Sequence, residues 1–242
     1  MHLQKTRGIV LKLLPFNDKN KIVKVYTEYF GLRAFIVGAG SSKLNRGKLS
    51  LLQATQPIWL ETSFTETGKL SRLGEVTPAA SIINAMQHHT KRSMLLFIDE
   101  VLYKCLREEQ ADDQLFNFIF DSIVYLDKTT QNCNNFHLVF LMRLSHHLGF
   151  LPTGNYSSVN RFFHYKDGIF DRFTTEGIIM DEMHSELFSK FIELDYQNME
   201  SVPLNALSRN KLLNNMLLYF ATHMPSFSNF KSLEILSEIH AV

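Results

Sequence analysis

Residues 6–37, TRGIVLKLLPFNDKNKIVKVYTEYFGLRAFIV, decide the fold. Three β-rich runs, Thr6–Leu14, Ile22–Thr27 and Leu32–Val37, are separated first by the turn residues Pro15, Asn17, Asp18 and Asn20, then by Gly31. Downstream, the basic stretch GAGSSKLNRGK reads as a flexible loop joining the third strand to the next. Gln53–Glu61 and Leu70–Val76 supply two more short strands, and Pro57 predicts an edge or a bulge in the fourth. Five strands with a long loop after the third fit a small closed or partly closed barrel. An OB-fold is one such barrel and commonly binds oligonucleotides; an SH3-like barrel fits the strand count nearly as well.

Past Thr77-Pro78 the apolar period changes from two to 3.6. Met94, Phe97, Ile98, Val101, Leu102 and Cys105 mark one helix, and Phe116, Ile119, Phe120, Ile123 and Val124 a second, with Asp112 and Asp113 as caps. Residues 136–148, FHLVFLMRLSHHL, are apolar on more than one face, so this helix should be central, stopped by Gly149 and Pro152. Met183, Leu187, Phe188 and Phe191 predict another helix. Ser208 is read as the cap of the next, which Pro225 ends, and a last short helix is expected near Leu233, Leu236 and Ile239. Between these groups RFFHYKDGIFDRF carries Asp167-Gly168 flanked by aromatics, a hairpin signal. The fold class is therefore α+β. A five-stranded barrel over residues 1–78 precedes a mainly helical domain over 79–242, with a small β-hairpin inserted at about 156–177.

Charge separates along the same division. The first fifty residues hold ten Lys or Arg against two acidic residues, while the whole chain has a formal charge of only +1. Residues 81–242 are correspondingly acidic, and such asymmetry points to a polyanionic partner. Lys12, Lys24 and Arg33 alternate with apolar neighbours and are expected to project from the barrel wall. Lys19, Lys21, Lys43, Arg46 and Lys48 fall in the connections after strands one and three. Lysines also guard sheet edges against aggregation, but a surplus of eight charges in fifty residues exceeds that need. Phe16, Tyr26, Tyr29, Phe30 and Phe35 lie among these cations; some could stack on bases and others must form core.

No catalytic constellation is legible. His88-His89 and His146-His147 are adjacent pairs that diverge by about 100° on a helix, and no His-Glu-x-x-His or paired Cys-x-x-Cys occurs. The basic stretch lacks P-loop order and is not followed by an obvious helix. Two cysteines, Cys105 and Cys133, suit a reducing compartment rather than a disulfide framework, and the apolar run at the N-terminus is too short for export or a membrane span. The expectation is a soluble, cytoplasmic, nucleoid-associated protein that is not an enzyme and binds no metal. An RNA-binding barrel with a helical adaptor is one alternative, and a hydrolase using a paired histidine is another.

Five segments, in order, resemble the RecO family. They are TRGIVLKLLPFNDKNKIVKVYTEYFGL, VGAGSSKLNRGKLSLLQATQPI, LLFIDEVLYKCL, LVFLMRLSHHLGFLPTG and SRNKLLNNMLLYFATHMPSFSNFKSLEIL. The resemblance implies an N-terminal OB barrel that binds single- and double-stranded DNA, and a protein that anneals complementary strands. It also implies RecR as partner, contact with the acidic C-terminal tail of single-stranded-DNA-binding protein, indirect service to RecA, and no cofactor. Many relatives carry four zinc-binding cysteines after the central helix; here that stretch, NYSSVNRFFHYKDGIFDR, has none, so structural zinc is not expected. Lys43, Arg46 and Lys48 match the family's basic loop, with Arg33 at the adjoining strand and Lys19, Lys21 and Lys24 nearby. Lys91, Arg92, Arg107 and Arg143 are candidate contacts for an acidic peptide. Arg209, Lys211 and Lys231 are candidate secondary contacts for DNA or a partner.

Overall fold

Strands β1 (Gln4–Asn17), β2 (Asn20–Thr27) and β3 (Gly31–Gly38) form a meander, followed by helix α1 (Lys43–Ser50) and strands β4 (Pro57–Thr62) and β5 (Ser71–Pro78). They close into a barrel in the order β1-β2-β3-β5-β4. β4 returns antiparallel onto β1, from Ile9 opposite Pro57 to Gln4 opposite Thr62, and β5 meets β3 in parallel at Phe35 and Ser71. This closure, with a helix between β3 and β4, is the OB arrangement and resolves the choice against an SH3-like barrel. The computed structural model describes residues 3–40, 43–63, 70–106, 111–173, 177–225, 227–233 and 235–236.

Alternation decides what faces inward. Val10, Val23, Val25, Phe35, Val37, Ile58, Leu60, Leu73 and Val76 form the barrel interior. Gly8 sits where strands approach closely: a Cβ there would lie 2.5 Å from Val25 Cγ1. The fourth strand begins at Pro57 rather than near Gln53, so the missing N–H falls on the strand's first residue. The expected flexible loop after β3 is corrected over Lys43–Ser50, which is helical. Intrinsic propensity is poor there, with Asn45 and Gly47, but Leu49 and Leu51 pack on the barrel core beside buried Leu52. Tertiary burial makes that helix.

Helices α2 (Ile83–Gln87), α3 (His89–Cys105) and α4 (Asp113–Lys128) complete the first of two units, Met1–Lys128. The outer face of β1 and β2 receives them. Arg7 pairs with Glu28, donates to Asn117 Oδ1 at 2.8 Å, and lies over the rings of Phe116 and Phe120 at 5.2 and 5.0 Å. Asp112 caps α4, accepting from the Leu115 N–H at 2.9 Å. Short α2, which periodicity did not show, is held by Asp127 Oδ1 accepting from the Ala85 N–H at 2.7 Å.

The second unit, Thr129–Val242, contains α5 (Phe136–His147), β6 (Phe162–His164), β7 (Ile169–Asp171), α6 (Glu182–Phe191) and α7 (Ala206–His223). α5 is buried from Phe136 to Met142, as its all-round apolar pattern requires. The cap of α7 is Asn205, whose Oδ1 accepts from the Ser208 N–H at 2.8 Å; Ser208 is the third helical residue, not the cap. The β6–β7 hairpin turns through Asp167-Gly168. It is held by aromatic packing, with Phe163 4.5 Å from Phe188, 5.0 Å from Phe170 and 5.2 Å from Tyr219, ring centre to ring centre. Most of the expected last helix lies outside the described residues. Among the described residues no helix is long and apolar enough to cross a membrane.

Candidate nucleic-acid interface

Two groups of cations emerge on the first unit, at different places. The first is at one mouth of the barrel. Lys19 occupies the tight turn between Asn17 and Asn20, where Asn17 Oδ1 accepts from the Lys19 N–H at 3.0 Å. The Lys19 carbonyl accepts from the Ala39 N–H at 2.8 Å, joining this turn to the connection that enters α1. Lys21 stands opposite Pro15 and Val37 with the inward parity of Val23, so it lies at the rim of the same mouth. Asn45 of α1 packs against Gly38 and Gly40, seating the helix there. Arg46 is exposed on α1, and Lys43 opens that helix; the Lys43 side chain lies outside the described residues. Lys48 is different. Its ammonium donates to the carbonyls of Leu73 at 3.3 Å and Gly74 at 2.6 Å, tying α1 to β5.

The second group is on the outer wall. Lys12 and Lys24 lie directly opposite each other on β1 and β2, and both ammonium groups sit over the ring of Tyr103 on α3, at 4.5 and 5.2 Å. Arg33 does not join them, which corrects its expected projection from the wall. It shares the inward parity of Phe35 and Val37, and its Nε is buried without a hydrogen-bond partner. Among the aromatics, Phe35 and Tyr26 are core, the Tyr26 ring lying 6.0 Å from that of Phe116, centre to centre, at a tilt. Phe16 and Tyr29 are the exposed ones, and Phe16 stands at the end of β1, next to the turn that carries Lys19. Tyr103 was missed in the sequence. Its only signal is a helical aromatic near a cysteine in LYKC, with nothing local to show which strand it would meet.

The secondary candidates divide sharply. Lys91 is buried, its ammonium donating to the Asp127 carbonyl at 3.4 Å between α3 and α4. Arg209 is buried as well: Nε donates to Asn135 Oδ1 at 3.0 Å and a terminal nitrogen to the Leu204 carbonyl at 2.7 Å. Burial pulls its pKa below the usual guanidinium value, against the opposing field of Glu200. Both are therefore structural ties, which removes them as surface contacts. Arg92, Arg143, Lys211 and Lys231 are exposed, and Arg107 lies outside the described residues. Arg92 bonds His89 Nδ1 at 3.0 Å. Arg143 borders a cavity of about 270 Å³ with His146, His147, Leu151, Ile192, Glu193 and Leu194. Among the described residues no group of three or more His, Cys, Asp or Glu could hold a metal ion.

The first unit is thus a closed OB barrel followed by helices, with cationic residues on the turn and the helix at one barrel mouth. Comparison with known families is more specific. The model described as "Recombination protein O N terminal" matches residues 1–82, and "Recombination protein O C terminal" matches residues 89–234. The DNA repair protein RecO of Phocaeicola vulgatus is 32% identical over 238 residues, covering 98% of this chain and 99% of the relative. That of Bacteroides fragilis is 32% identical over 245 residues, with the same coverage. That of Christiangramia forsetii is 30% identical over 235 residues, covering 97% of this chain and 98% of the relative. The chain belongs to the RecO family of DNA repair and recombination proteins.

Proposed function

We propose that this RecO-family chain is a non-enzymatic recombination mediator. It binds single- and double-stranded DNA through its barrel, anneals complementary strands and, with RecR, helps RecA onto strands coated by single-stranded-DNA-binding protein in the cytoplasm. The observation that carries this reading is the convergence at one barrel mouth of the segments that bear Lys19, Lys21 and Arg46, with exposed Phe16 at the end of β1. Cations track a phosphate backbone and release its counterions, while an exposed aromatic offers a face to a base. Annealing needs no covalent step. Holding two strands on one cationic surface lowers their repulsion and raises their local concentration. For the acidic tail, Arg92 and Arg143 are the contacts we propose, since both are exposed and each borders a hollow with apolar residues in its lining.

The test is the ionic-strength dependence of single-strand binding. Replacing Lys19, Lys21 and Arg46 together by Gln lowers the slope of log affinity against log salt by about two, at about 0.7 per lost contact. Lys48 is left in place because its ammonium serves the β5 backbone. An unchanged slope counts against the mouth. Competition between RNA and DNA strands of matched sequence separates this reading from an RNA-binding adaptor.

A further inference from the structure

Lys12 should point into the barrel. Val10 faces the interior opposite Val25, and a regular strand would send the residue two places on to the same side. Instead the register slips: Val10 pairs with Val25 and Lys12 with Lys24, leaving Leu11 as an extra, buried residue. This β-bulge turns Lys12 to the outer wall. Bulges of this kind commonly re-aim a side chain at functional sites. The result has an electrostatic cost, because like charges directly opposite on neighbouring strands repel. α3 meets that cost by placing the Tyr103 ring under both ammonium groups, at 4.5 and 5.2 Å. Asp99 lies one helical turn before Tyr103, in the field of Lys12. Burial holds its carboxyl up, to about 8, despite the opposing field of Lys12.

We infer that Lys12 and Lys24, re-aimed by the bulge at Leu11 and seated on Tyr103, form a second phosphate-binding site on the outer wall, which holds the backbone of a second nucleic-acid strand. Lys12 and Lys24 make the contact, and Tyr103 is a positioning residue. This rests on the proposed strand binding at the mouth and adds what annealing requires: a separate place for the partner strand on the same unit.

Energy transfer between donor-labelled and acceptor-labelled oligothymidylates, which cannot pair with each other, reads simultaneous binding. The full-length protein brings them together. The Lys12→Gln, Lys24→Gln double variant still binds one labelled strand but loses transfer, its affinity for the second strand falling by about tenfold or more for two lost charge-assisted contacts. Tyr103→Leu weakens transfer, whereas Tyr103→Phe, which keeps the ring, preserves it. Thermal melts of the double variant check that it folds. If the double variant retains full transfer, or the wild type binds one strand without transfer, the second site is refuted while the mouth stands. If the wild type binds no strand at all, the proposed function itself falls. Displacement of the second strand by oligoglutamate but not by unlabelled oligothymidylate would assign the wall to an acidic peptide and overturn the inference.

Discussion

Asp99 shows how one buried group ties stability to pH. Its Oδ1 is buried without a hydrogen-bond partner, and burial raises the carboxyl from an ordinary value near 4 to about 8. Between those values the folded chain holds a proton that the unfolded chain has released. Stability therefore falls as pH rises through that window and levels off above about 8. Asp99→Asn, which keeps the shape and removes the titration, raises stability at pH 8 by about 2 kcal/mol. That gain stays within the ceiling set by about 1.4 kcal/mol for each tenfold change in proton affinity. Denaturant melts from pH 5 to 9 check it: the variant's profile is flatter, and parallel profiles refute the assignment. The residue scale is also where sequence reading was weakest. Lys48, Lys91 and Arg209 look like any surface cation in a string of letters. Each is committed to backbone carbonyls or a buried amide that come from distant residues.

At the scale of elements, the hairpin and α1 make opposite points. Asp167-Gly168 was legible because turn chemistry is local. Gly168 has φ +65°, and a Cβ there would come within 2.7 Å of the Tyr219 hydroxyl, which donates to the Phe150 carbonyl. Gly168→Ala therefore destabilises the second unit by about 2 kcal/mol or more, from left-handed strain plus displacement of Tyr219. A thermal melt of the full-length protein measures it, and a neutral substitution would show that α7 yields easily. α1 was not legible. Its sequence KLNRGKLS carries Asn and Gly and reads as loop; burial of Leu49 and Leu51 on the barrel core organises it.

For the whole molecule, strand-binding chemistry and cooperative folding have different extents. We propose residues 1–78 as the binding module, yet the compact unit reaches Lys128. Arg7 is bracketed by Phe116 and Phe120 of α4, and Tyr26 rests on Phe116. A fragment of residues 1–128 accordingly folds, melts cooperatively and binds single strands. A fragment of residues 1–78 exposes Tyr26 and the Ile9 face and loses several kcal/mol through lost apolar burial. Limited proteolysis and calorimetry of the two fragments decide it, and equal stability would make α3 and α4 dispensable to the barrel.

The sequence by itself determined the α+β class, the five strands, the central apolar helix, the hairpin and the cationic bias of the leading segment. Period, turn residues and charge are properties of neighbours in the chain. Tertiary structure alone decided which cations reach the surface and where. It directed Lys12 outward through a bulge, turned Arg33 inward and brought Tyr103, distant in the chain, to lie beneath two lysines. Register and long-range packing set those outcomes, because the direction of a side chain on a strand reverses with every single-residue slip.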